Sequence, residues 1–123
     1  MELVRLKPGD LKAEEMVLLL SPSGEVFALS ITEEEYEIFK QLPSDSDSFI
    51  LDKIAKLICE ENAIATESPR MYLLSQGWMH YSRIQSQWKW HCEKKMTHYQ
   101  LAVAKKIHNN ESLYHLFQRN FSK

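Results

Sequence analysis

The chain has little glycine, proline and cysteine and no long hydrophobic run, and each shortage excludes a class of protein. Three Gly lie far apart in the 123 residues, so no glycine-rich loop is present to cradle a phosphate group. The longest apolar run, 16–20, falls well short of the roughly 20 residues that a membrane-spanning helix needs. The remaining composition, 44% hydrophobic and 26% charged, is typical of a folded globule, so a single domain over 1–123 is expected.

The two cysteines carry no recognisable redox or metal signal. Cys59 and Cys92 belong to no CxxC motif and are interpreted as small hydrophobes in a reducing compartment. The first residues, Met-Glu-Leu-Val-Arg-Leu-Lys, lack the basic start and apolar stretch of a signal peptide. We therefore expect a cytoplasmic protein without a membrane partner.

Charge is distributed unevenly between the two halves of the chain. Residues 1–67 contain fifteen acidic and six basic residues, whereas 68–123 contain two acidic and nine basic residues. The second part also holds all five histidines and all three tryptophans. Such a split predicts either two surfaces with different partners or two parts that attract each other within the fold.

The first half of the sequence predicts strands followed by short helices. Alternating apolar residues in 25–31 and the turn residues Ser21-Pro22-Ser23-Gly24 predict an antiparallel β-hairpin within 1–31, with 3–6 as a candidate third strand. Two short helices are predicted in 32–61. Thr32 and Glu35 form a capping box at the start of the first helix, and Pro43 ends it.

The second half predicts one dominant helix over 69–108. Ser68-Pro69 is a typical helix start. Apolar residues then follow with a mean spacing of about 3.6, the period of a straight α-helix. These positions are Met71, Leu74, Trp78, Tyr81, Ile84, Trp88, Cys92, Met96, Tyr99, Val103 and Ile107. A break near Gly77 is the alternative, and a short terminal helix is predicted at 111–121. The fold class is therefore α+β, an N-terminal hairpin packed on helices and dominated by one long helix.

Residues that could carry chemistry do not form a catalytic or metal-binding pattern. On the predicted helix His80, His91 and His98 share a face but lie roughly 16 and 10 Å apart along the axis, too far to share one ion. The sequence has no GxSxG motif and no cysteine with a positioned histidine. We therefore expect no metal, no cofactor and no enzymatic activity.

A basic and aromatic strip is the candidate binding surface. Its basic residues would lie away from the main apolar stripe of the predicted helix, and they are Arg83, His91, Lys94, His98 and Lys105. Trp90 belongs to a second apolar row beside them, for which packing in the core is the alternative. Cations beside aromatic rings favour an acidic protein partner, which predicts a regulatory or adaptor protein. The alternatives are a small nucleic-acid-binding protein that uses the same strip on phosphates and unpaired bases, and a homo-oligomer that pairs this helix with a second copy.

Overall fold

A computed structural model describes residues 2–6, 17–30, 32–41, 46–84 and 87–107. Within these ranges the chain forms an antiparallel sheet and short helices. The strands and helices in chain order are β1 (Glu2–Leu6), β2 (Leu18–Leu20), β3 (Val26–Ser30), α1 (Glu33–Gln41), α2 (Ser46–Glu61), α3 (Pro69–Ser75), β4 (Met79–Ile84), β5 (Gln87–Cys92) and α4 (His98–Ile107).

The five strands form one sheet in the order β1-β3-β2-β4-β5. Every neighbouring pair is antiparallel. Strands β2 and β3 make the predicted hairpin through a turn in which the amide of Gly24 donates to the carbonyl of Ser21. Strand β1 adds to β3 as the third N-terminal strand.

The middle of the sheet is covered on both faces. All three leucines of β2 are completely buried, but they point alternately to opposite faces. Leu18 and Leu20 pack in one cluster with Ala104 and Ile107 of α4. Leu19 packs in a second cluster that includes side chains of α2 and α3. The sheet therefore lies between two helical layers, and an uninterrupted apolar run is what such a strand requires.

Local capping signals determine where two helices begin and one ends. The predicted capping box is confirmed, because the amide of Glu35 donates to Thr32 Oγ1 and the amide of Thr32 donates to Glu35 Oε1, both at 3.1 Å. Pro69 is the first residue of α3, as expected. This helix ends in a Schellman motif, in which the amide of Trp78 donates to the carbonyl of Leu73 and Gly77 takes a φ of +94°.

The prediction of one long helix over 69–108, which dominated the expected fold class, is wrong. The span contains α3, β4, β5 and α4, and the longest of these helices has ten residues. A sheet with short helices on both faces replaces the helix-dominated architecture. The chain leaves the helical path at Gly77, the residue at which a break was the alternative expectation.

The error has a physical cause in the spacing of the apolar residues. Met79 and Tyr81 are two residues apart, as are Trp88 and Trp90, and this is the period of a strand. Aromatic side chains also favour strands. A mean spacing of 3.6 over the whole span conceals these local alternations, because helical segments flank them on both sides. The terminal helix predicted at 111–121 lies outside the described residues.

Gln100 and Thr97 join the start of α4 to two turns that follow strands or helices of the sheet layer. The side chain of Gln100 is fully buried, and its Nε2 donates to the carbonyl of Gly77 at 2.7 Å. Its Oε1 accepts from the amide of Thr97, whose hydroxyl donates to the carbonyl of Pro22 at 2.6 Å. A Cβ at Gly24 in the same turn would lie 3.3 Å from the Cβ of Tyr99, so the helix approaches this turn closely.

Replacing Gln100 with Leu is expected to lower the free energy of unfolding by about 1–3 kcal/mol, because partly buried backbone groups of Gly77 and Thr97 lose their partners. Urea denaturation followed by circular dichroism measures the change. The matched control is Gln41→Leu at the exposed end of α1, which should change stability by less than about 0.5 kcal/mol. Equal stability of the two variants would contradict the anchoring role of Gln100.

Candidate functional site

Strand β5 is one of the two edges of the sheet. In the described part of the chain it pairs only with β4, in a register that runs from Met79 opposite Cys92 to Ile84 opposite Gln87. An antiparallel edge strand directs the backbone N–H and C=O groups of every second residue away from its neighbour. A six-residue edge therefore presents donors and acceptors to which another extended segment can pair.

Positive charge is concentrated on β5 and in the residues that follow it. Lys89 is half-buried on the strand, while Lys94 and Lys95 are exposed just after it. The side chain of His91 is 42% exposed, and its Nε2 lies 3.8 Å from Oε1 of Glu93. Three lysines against one glutamate in 87–95 make this edge a cationic surface.

The register gives β5 two chemically different faces. On one face Lys89 lies opposite Ser82, and His91 lies opposite His80. On the other face Trp90 lies opposite Tyr81, with the two ring centroids 5.0 Å apart. Basic and aromatic residues thus occupy opposite faces of the strand, because successive side chains of a strand point to opposite faces.

His80 and His91 stack across the two strands, with ring centroids 4.9 Å apart and an interplanar angle of 30°. Nδ1 of His80 also lies 3.1 Å from the hydroxyl of Ser82. Burial of His80, the positive charge of a protonated His91 and nearby Arg70 lower the pKa of His80 to about 4. His80 is therefore neutral near pH 7 and acts as a packing group of the cross-strand pair.

The stacked histidines do not constitute a metal site. The nitrogens of two stacked rings lie in roughly parallel planes, so their lone pairs do not converge on one ion. No group of three or more potential metal-binding side chains occurs within the described ranges.

Cys59 lies on α2, beside a groove on the surface of the protein. Burial raises the pKa of the Cys59 thiol, which opposes formation of a nucleophilic thiolate.

Arg83 is held by an acidic residue from a distant part of the sequence. Its Nη2 lies 2.7 Å from Asp47 Oδ1, its Nε lies 3.1 Å from the same oxygen, and its backbone amide donates to Oδ2 at 2.8 Å. The side chain of Asp47 is only 5% exposed and lies in the first turn of α2. This guanidinium joins α2 to the end of β4, which is a structural role.

Trp90 lies in the core. Its side chain is buried with Tyr81 in the cluster that α4 covers. The indole Nε1 of Trp90 is buried and has no hydrogen-bond acceptor among the described residues. Trp88, which is partly buried and lies beneath the guanidinium of Arg83 at 5.9 Å, is the more accessible tryptophan of β5.

The other predicted site residues occupy two places. His91 and Lys94 come together at the end of β5, where they form part of the cationic edge. His98 and Lys105 are exposed on α4, His98 at its first residue and Lys105 in its last turn. Seven residues of helix separate these two positions by about 10 Å along the axis. A contribution of Lys105 to binding stays a prediction.

Sequence reasoning missed Lys89 and the contact between His80 and His91. The signal was present in the letters Gln-Trp-Lys-Trp-His-Cys, in which polar and apolar residues alternate. Interpreted with a period of two, these letters place Lys89 and His91 on one face of a strand. The contact between Asp47 and Arg83 had no such signal, since 36 residues separate the two partners.

No protein-family model, curated protein or solved structure matches this chain. Within the described ranges, none of the helices has both the length and the apolar character that crossing a membrane would require. The geometry of the β5 edge is therefore the basis for a functional assignment.

Replacing Arg83 with Met is expected to lower the free energy of unfolding by about 2–4 kcal/mol, because the buried carboxylate of Asp47 loses its charged partner. Chemical denaturation measures this loss, and Lys94→Met, an exposed replacement, should change stability by less than about 0.5 kcal/mol. The double variant Asp47→Leu/Arg83→Met should recover part of the loss. A fully stable Arg83→Met variant would contradict the structural role.

The depressed pKa of His80 predicts an acid-sensitive fold. Between pH 6.5 and 4 the unfolded chain binds a proton that folded His80 excludes, so stability falls as the pH falls. Since a tenfold change in a proton equilibrium is worth about 1.4 kcal/mol, the loss reaches up to about 3 kcal/mol at pH 4. Urea midpoints at pH 7, 5.5 and 4.5 should fall less steeply for His80→Gln than for the parent. Parallel pH profiles for the parent and His80→Gln would exclude this origin.

Proposed function

We propose that this protein is a non-catalytic binding module that captures an acidic, extended segment of a protein partner along β5. The observation that carries the proposal is the coincidence of a sheet edge with a row of cations, Lys89 on the strand and Lys94 beyond it. Neither feature alone would indicate a ligand, but together they match strand addition, in which main-chain hydrogen bonds supply affinity and side chains supply specificity.

The charge of the edge selects the chemical class of the partner. Lysines on an edge strand disfavour pairing with an uncharged or basic strand, because an ammonium group that loses water without gaining a partner raises the free energy of the complex. A carboxylate on the incoming segment removes that penalty. Each such exposed pair contributes roughly 0.2–1 kcal/mol, and the long-range attraction raises the association rate at low ionic strength.

The contacts of Arg83 and Trp90 favour the edge of β5 as the binding surface for the acidic partner. Arg83 is engaged by Asp47, and Trp90 is enclosed in the core. Lys89 and Lys94 are cationic side chains with exposed surface at this edge, Lys95 is exposed just beyond them, and the imidazole of His91 is 42% exposed beside them. The proposed docking surface consists of Lys89, His91, Lys94 and the outer backbone of β5.

Selection from a displayed library of random ten-residue peptides tests the proposed function. Peptides retained by the parent protein should contain several Asp or Glu residues, and their binding should weaken as salt rises, because added ions screen the attraction. Lys89→Glu/Lys94→Glu should weaken binding of a selected peptide about tenfold, which corresponds to about 1.4 kcal/mol. Fluorescence anisotropy with synthetic peptides measures this change.

The matched control is Lys53→Glu/Lys56→Glu on α2, which makes the same change in net charge on another element. Binding by this control should remain within about twofold of the parent. An equal loss in both variants would show that net charge, and not the edge, determines binding, and would contradict the proposal.

Two further arms test the alternative partners. A fluorescent single-stranded oligonucleotide that binds tightly, with a steep loss of affinity as salt rises, would assign the cations to phosphate recognition and overturn the proposal. Light scattering that shows a stable dimer, dissociated by Lys89→Glu, would assign the edge to a second copy of the chain. The proposal is supported if the protein is a monomer by light scattering, does not bind the oligonucleotide and binds acidic peptides.

A further inference from the structure

The side-chain pattern of β5 restricts the sequence of its ligand further than charge alone. This step rests on the proposed function, because it concerns the same edge. We infer that the captured segment is a strand in which acidic and apolar residues alternate, with its carboxylates beside Lys89 and His91 and its apolar side chains beside Trp88.

The register of the sheet supplies the first part of the argument. Lys89 and His91 are two residues apart and lie on the face of Ser82 and His80. A strand added at the outer edge continues this face, and its directly opposite side chains come within about 4.5–5.5 Å of those of β5 between Cβ atoms. Two carboxylates spaced by one residue can therefore face the ammonium group of Lys89 and the imidazole of His91, whereas adjacent carboxylates cannot.

The opposite face supplies the second part. Trp88 lies on this face and is only partly buried, and Cys92 at the end of the strand is also partly buried. The charged group beside Trp88 is Arg83, and Asp47 already neutralises it. An incoming carboxylate on this face would meet an aromatic ring and a satisfied cation, while an apolar side chain would cover the remaining tryptophan surface.

The charged groups near Lys89 and His91 determine which of the two contacts is the stronger. Arg70 of α3 lies close enough to His80 to lower its pKa, and Arg70 is paired with Asp52 at 3.1 Å. Glu93, which is exposed, lies 3.8 Å from His91 and occupies one side of that imidazole. The carboxylate of the ligand therefore adds its main contact at Lys89 and a second contact at His91.

Three fluorescein-labelled ten-residue peptides test the inference at pH 7. The first alternates Glu and Val, the second has five Glu followed by five Val, and the third alternates Lys and Val. The alternating acidic peptide should bind at least about tenfold more tightly than the block peptide of identical composition, and the basic peptide should not bind. Lys89→Met should reduce this preference, and Lys53→Met is the control that should leave it unchanged.

Backbone methylation separates strand addition from simple charge attraction. One version of the alternating peptide carries N-methyl groups on its Glu residues, and the other carries them on its Val residues. Since a strand directs the N–H groups of alternate residues to opposite sides, one version should lose binding at least tenfold while the other retains it. Equal binding by both versions would overturn the inferred strand pairing.

The peptide experiments and the library selection separate failure of the inferred alternating pattern from failure of the proposed function. Equal affinity for the alternating and block peptides would overturn the inferred pattern, while acidic peptides selected from the random library would still support capture of an acidic segment. Failure of all three peptides, together with a library selection that enriches no acidic residues, would overturn both.

Discussion

The fold depends on one constraint, the burial of β2 on both faces. Its three leucines are entirely inaccessible, so a helical layer must cover each side of the sheet. The layer of α2 and α3 precedes β4 and β5 in the chain, whereas α4, the last element of the described residues, covers the opposite face. Gln100 secures α4 on that face, because its amide joins the start of the helix to the carbonyl of Gly77. The sheet and its last helix are therefore coupled by a buried polar contact as well as by apolar packing.

Local signals in the sequence predicted local structure correctly, and the pattern over longer distances did not. The capping box at Thr32 and the helix start at Pro69 depend on neighbouring residues, and both are present in the structure. The region 79–92 contains apolar residues that fit a helical period on average and a strand period locally. Only the pairing of β4 with β2 and β5 decides between these periods, and that pairing is a tertiary interaction.

The candidate site shows the same division. Composition predicted that the second half would present cations, and Lys94 is exposed there, although it follows a strand and does not lie on the predicted helix. Which cations are accessible could not be predicted, because Asp47 reaches Arg83 from another part of the sequence. Lys89 gained importance only when its segment proved to be an edge strand, where one side chain both discourages unwanted strand pairing and favours a carboxylate. The direction of a side chain, more than its charge, determines its role here.

The close approach of α4 to the turn at Gly24 has a mechanical consequence. A methyl group at this position would press on the Cβ of Tyr99 and on Val103, both of which belong to α4. Gly24 also takes a φ of +92°, so a side chain at this position would strain the turn as well as crowd the start of α4. The hairpin turn and α4 are thus mechanically coupled at position 24, so the shape of the turn limits how closely the helix can pack.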